Sequence, residues 1–162
     1  MKSLSDSISE YQDALNKGHI QKAYRGIMSF MSDLKGSLSK KYPDYLTSSL
    51  YTGYLDMTYF AFTPSELRNM KLKVAIVYLH DEGRFEVWLS GNNRKIQAEY
   101  IKRLSHINIE GYQLSKVMPG VDSIIESIII NHPDFDHPIE LKKLIEGATL
   151  KFIQDINHLI NN

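Results

Sequence analysis

The sequence predicts an α+β fold: an antiparallel sheet of three or four strands, packed by an N-terminal helical hairpin and C-terminal helices. Apolar residues recur at helical spacing over 3–42 and again over 119–160. Between them, 50–90 is rich in aromatic and β-branched residues, and two alternating runs flank Glu82-Gly83 as in a β-hairpin. With 162 residues and no linker or repeat, the chain reads as a single domain, 1–162.

The first helix is expected from about Leu4 to Lys17. Ser3 and Asp6 form an N-cap pair, Leu4, Ile8, Tyr11 and Leu15 make an apolar stripe, and Gly18 closes the C-terminus. A second helix follows with a narrow seam of Ile20, Tyr24, Ile27, Met31, Leu34 and Leu38, ended by Pro43. The seam suits packing on the sheet, and a homodimer contact through part of it is the sharper alternative. Leu50 to Phe62 is a strand by its Tyr, Thr and Phe content, and Pro64–Arg68 suits a short helical turn with Pro at its start.

Leu72–His80 and Arg84–Ser90 are the hairpin strands. A two-residue loop pairs His80 with Phe85, Tyr78 with Val87 and Ile76 with Leu89. One face then carries Val74, Ile76, Tyr78, Phe85, Val87 and Leu89, which is core. The other carries Ala75, Val77, Leu79, Arg84, Glu86 and Trp88, which is mixed. A helix capped by an Asn spans about 93–104, and a short strand is expected near Gly111–Val117. Pro119-Gly120 opens an amphipathic helix with Val121, Ile124, Ile125, Ile128 and Ile129 on one stripe. A last helix begins near Pro138, with His137 and Glu140 at capping positions.

Composition excludes several functions. The chain has no cysteine, so disulfide scaffolds, thiolate metal sites and cysteine nucleophiles are out. Nineteen basic and 19 acidic residues give a formal net charge of zero, which removes the electrostatic case for nucleic acid or an anionic membrane as partner. The N-terminus lacks an apolar secretory core, and the longest wholly apolar run is Ile128–Ile130; the expectation is a soluble cytoplasmic protein. Neither a GxGxxG nor a GxxxxGK[ST] loop occurs, and no serine sits in a GxSxG context.

Candidate chemistry is therefore local. Tyr42, Tyr45, Tyr51, Tyr54, Tyr59, Phe60 and Phe62 crowd into one stretch, and tyrosines suit either a core margin or a ligand pocket. Glu86 lies mid-strand beside Trp88, where a carboxylate needs a partner; Arg84 and Lys73 are within reach. The expected ligand-binding residues are Tyr54, Asp56, Arg84, Glu86 and Trp88, with no catalytic residue, metal ligand or cofactor assigned. His132, Asp134, Asp136 and His137 are metal-ligand types, but turn formation and helix capping account for them.

The runs Tyr51–Phe60, Lys71–Val77, Phe85–Asn93 and Gly120–Glu126 resemble an uncharacterised family of conserved bacterial cytoplasmic proteins. The resemblance covers nearly the whole chain. It implies a free-standing, single-domain bacterial protein and confers no catalytic residues, because that family has no assigned activity. Element order alone resembles the restriction-endonuclease-like core. There Asp81 falls in the hairpin loop, and Glu86-Val87-Trp88 has Trp where that family has Lys, so an active nuclease is not expected.

Two classes of function follow. The first is a non-enzymatic binding or interaction protein, its partner a small molecule or another protein. The alternative is a metal-dependent hydrolase or a degenerate nuclease domain, using Glu86 with Asp56 or Asp81.

Overall fold

A computed structural model gives the fold and describes residues 1–109 and 111–162. The elements are α1 (Leu4–Asn16), α2 (His19–Lys41), β1 (Leu46–Thr47), β2 (Met57–Thr63), α3 (Ser65–Asn69), β3 (Leu72–Leu79), β4 (Arg84–Gly91), α4 (Arg94–Leu104), β5 (Ser123–Ile130) and α5 (Pro138–Asn161). The strands form one five-stranded sheet in the order β1-β2-β3-β4-β5, antiparallel throughout. The α+β class is as expected, with five strands rather than three or four. No helix among the described residues is long and apolar enough to cross a membrane.

One face of the sheet is core. Phe60, Phe62, Val74, Ile76, Phe85, Val87 and Leu89 are buried there, packed with Met31, Leu34 and Leu38 of α2 and Ile145, Phe152 and Ile156 of α5. Burying each such side chain contributes about 1.5–3 kcal/mol. The face assignment from alternation holds, although the hairpin register differs. Tyr78 pairs with Phe85, Ile76 with Val87 and Val74 with Leu89. The loop is His80–Gly83 rather than Glu82-Gly83, closed by the Gly83 N–H donating to the Leu79 carbonyl at 2.8 Å. A slip of two residues keeps every side chain on its own face, so the core list survives the change.

The largest correction concerns 119–130. The expected amphipathic helix is instead β5, paired to β4. Its isoleucines are β-branched and favour a pleated surface over a helix. In the Ile124-Ile125 doublet, which mimics helical spacing, Ile124 is the extra residue of a bulge in β5, between the partners of Leu89 and Ser90. That irregularity lets both isoleucines be buried. The strand expected near Gly111–Val117 reduces to one isolated bridge, Leu114 to Ile125. A single long helix, α5, therefore closes the chain where two were expected.

Smaller corrections fall at the ends of elements. The strand expected from Leu50 begins only at Met57, and the preceding segment touches it through the Tyr51–Tyr59 bridge. Ser3 and Asp6 form the expected reciprocal cap on α1, which has no buried residue. His137 does not cap α5 through its side chain. Its ring Nδ1 lies 2.7 Å from Asp134 Oδ2 instead.

This pair gives a testable titration. The hydrogen bond to Asp134 raises the His137 pKa, and the same bond lowers that of Asp134. Its stabilisation is present while both groups are charged. It is lost as pH rises through the raised His137 value or falls through the lowered Asp134 value. His137 should therefore titrate above the ordinary histidine range in an NMR pH series, and Asp134→Asn should bring it back. An unchanged midpoint in the variant would refute the pairing in solution.

Candidate functional site

The second face of the sheet holds a cleft of about 1110 Å³. Its floor follows from the register. Ala61 pairs with Ala75, Ala75 with Trp88, and Trp88 with Glu126, giving one row across β2, β3, β4 and β5. Two consecutive alanines leave a trough beside the large indole, which is half-buried in the cleft wall. Tyr51 and Tyr59, tilted against each other with ring centroids 4.9 Å apart, form another part of the lining. Arg68, Lys73 and Arg94 bring positive charge to the cleft, while Asp122 and Glu126 bring negative charge.

The β5 side of the cleft is tied to α4. Asn93 caps that helix by accepting from the Ile96 N–H at 2.9 Å. Arg94 donates to the Met118 and Val121 carbonyls, both at 3.0 Å, and pairs with Asp122 at 3.1 Å. Gln97, itself buried, donates to the Val121 and Ser123 carbonyls at 2.8 and 2.9 Å. These bonds fix the segment that leads into β5.

Two networks orient the polar side chains of the site. Glu86 is only 2% exposed. It accepts from Arg84 Nε at 2.7 Å and from Trp88 Nε1 at 2.8 Å. The hydrogen bond to Glu86 holds the Arg84 guanidinium above its already high ordinary pKa. On β5, Ser123 Oγ donates to Glu126 Oε1 at 2.7 Å. That uses its only proton, so Ser115 supplies the one in the 2.7 Å contact between the two serine hydroxyls.

Of the five residues expected from sequence, the structure brings Arg84, Glu86 and Trp88 together, and Trp88 alone lines the cleft. Tyr54 and Asp56 lie in the turn before β2. Tyr54 is 88% exposed, and its backbone N–H donates to Asp56 Oδ1 at 2.8 Å. That bond, followed by one from the Met57 N–H, holds the Asp56 carboxyl below the usual range. At the same end of the sheet Thr58 Oγ1 donates to the Thr52 carbonyl at 2.8 Å. His80 Nε2 is therefore the donor in its 2.8 Å contact with Thr58. Burial pushes the His80 pKa down and favours this neutral ring.

The aromatic cluster splits in two. Tyr42, Tyr45 and Phe62 pack together at the core margin, with centroids 4.6–5.7 Å apart, whereas Tyr51 and Tyr59 face the cleft. Among the described residues no group of three or more His, Asp or Glu side chains is placed to hold a metal. Sequence reasoning missed Glu126 because it assigned that segment to a helix. It placed Ala75 on the mixed face, but a small side chain carries no signal until its neighbours across the sheet are known.

Fold and site together define an α+β protein with a cleft on the open face of an antiparallel sheet. Residues 4–160 match the family model of a domain of unknown function, DUF7000, and the chain belongs to that family. No curated protein and no solved structure matches it.

Proposed function

We propose that the chain is a single-domain, non-enzymatic binding protein of the cytoplasm, and that it takes a small molecule in the cleft beside Trp88. The observation that carries this reading is the trough over Ala61 and Ala75, walled by a half-buried indole on a sheet face that the core helices leave open. A site of this kind offers apolar surface to a flat molecule and a few fixed polar groups to orient it. The indole edge cannot turn away, because its N–H is committed to Glu86. Nothing comparable supports a metal-dependent hydrolase through Glu86, since both its oxygens already accept hydrogen bonds from Arg84 and Trp88.

Trp88 is the only tryptophan, so intrinsic fluorescence reports on the cleft without a label. A metabolite screen should find compounds that shift or quench its emission, and Ala75→Phe, which fills the trough, should weaken the response at least about tenfold. Saturable binding that Ala75→Phe leaves intact would place the ligand elsewhere and sink this reading.

A further inference from the structure

We infer that the ligand carries a protonated amine, seated between Trp88 and Glu126; this rests on the binding role of the cleft. The two residues are registered partners on β4 and β5, and side chains so placed have Cβ atoms about 4.5–5.5 Å apart. Both line the cleft.

Each is held from beneath by a buried group. The indole N–H is occupied by Glu86, so the surface that Trp88 offers a ligand is hydrocarbon and π-face rather than a hydrogen-bond donor. Glu126 Oε1 is held by Ser123, which is fully buried and backed by Ser115. The second oxygen, Oε2, has no protein partner among the described residues. A ring face beside a fixed, half-satisfied carboxylate is the chemistry that recognises an organic cation. The ring quadrupole attracts the charge, and the ammonium N–H groups donate to the open oxygen.

Polarity along the cleft sets the orientation. Negative charge stands at β5 from Glu126, which feels Arg84 at longer range without a hydrogen bond, and just before it from Asp122, already paired with Arg94. Positive charge stands at β3 and α3, from Lys73 and Arg68. The amine therefore points to β5, the apolar body lies over Ala75, and any carboxylate of the ligand points to Lys73.

Three probes with one ring and different heads test this: phenethylamine, 2-phenylethanol and phenylacetate, titrated against the full chain with Trp88 fluorescence as readout. Phenethylamine should bind at least about tenfold more tightly than the other two, the factor that one charge-assisted hydrogen bond carries. Glu126→Gln should erase that preference, bringing phenethylamine to the level of 2-phenylethanol. Glu126 is exposed, so the variant keeps the fold. Equal or tighter binding of phenylacetate or 2-phenylethanol overturns the inference but leaves the cleft as a binding site. An amine affinity untouched by Glu126→Gln overturns it too. If none of the three moves the emission at millimolar concentration, the amine assignment fails, and the wider screen decides separately whether the cleft binds anything.

Discussion

Replacing Arg84 with alanine is expected to destabilise the protein by about 3 kcal/mol. Breaking a buried ion pair by removing one partner costs about 3–5 kcal/mol, because the other charge is left without compensation. Here the abandoned charge is Glu86, 2% exposed and left with only the Trp88 N–H. The arginine side chain is 26% exposed, so water can partly enter its place, which puts the expected loss at the low end of the range.

Glu86→Gln tests the same pair from the other side and should cost less. Glutamine still accepts from the indole, and the freed guanidinium reaches solvent. The double variant Arg84→Ala/Glu86→Gln should be more stable than Arg84→Ala alone, since no uncompensated charge remains. Urea unfolding of the four proteins completes the cycle. A loss under about 1 kcal/mol in Arg84→Ala, with no recovery in the double variant, would show that Glu86 is not held by this pair. Because Glu86 fixes the indole, Arg84→Ala should also shift Trp88 emission toward the solvated value before any unfolding.

Gly53→Ala should cost a comparable amount, about 3 kcal/mol, for a backbone reason. Gly53 has φ +75, and a Cβ built there would lie 1.9 Å from the Met57 carbonyl oxygen and 2.8 Å from Asp56 Oδ1. The left-handed conformation alone costs an L-residue about 1–2 kcal/mol. The clash adds to that, since the turn must open to relieve it. Leu55 in the same turn already has φ 67, so the segment has little freedom left.

Gly83→Ala is the control. Its φ is +65, but nothing lies within 4 Å of the added carbon, so only the conformational cost of about 1–2 kcal/mol applies. Thermal or urea unfolding should rank Gly53→Ala clearly below Gly83→Ala. Equal losses would mean that the turn relaxes freely. Since this turn joins Tyr51 to β2, Gly53→Ala should also weaken any ligand response at Trp88, whereas Gly83→Ala should leave it intact.

How much of this was readable in advance varies from element to element. Val74, Ile76, Phe85, Val87 and Leu89 are core because alternation has a period of two, and that signal survives an error in register. Segment 119–130 reads as a helix because Val121, Ile124, Ile125 and Ile128 satisfy helical spacing as well as they satisfy a bulged strand. The two readings differ only in whether β4 has a free edge nearby, which is a long-range fact. Tyr54 and Asp56 alternate with Phe60 in sequence as if they were in a strand, yet the turn at Gly53 lifts them out of the sheet.

The α+β class, the core face of the hairpin and the need of Glu86 for a partner are all legible in the chain before it folds. Each of these rests on local periodicity or on the chemistry of a single side chain. That Glu126 stands opposite Trp88, and that two alanines open a trough beside it, emerges only once the strands pair. Cross-strand neighbours are set by register and by which strand pairs at the edge, and both depend on residues far apart in the chain.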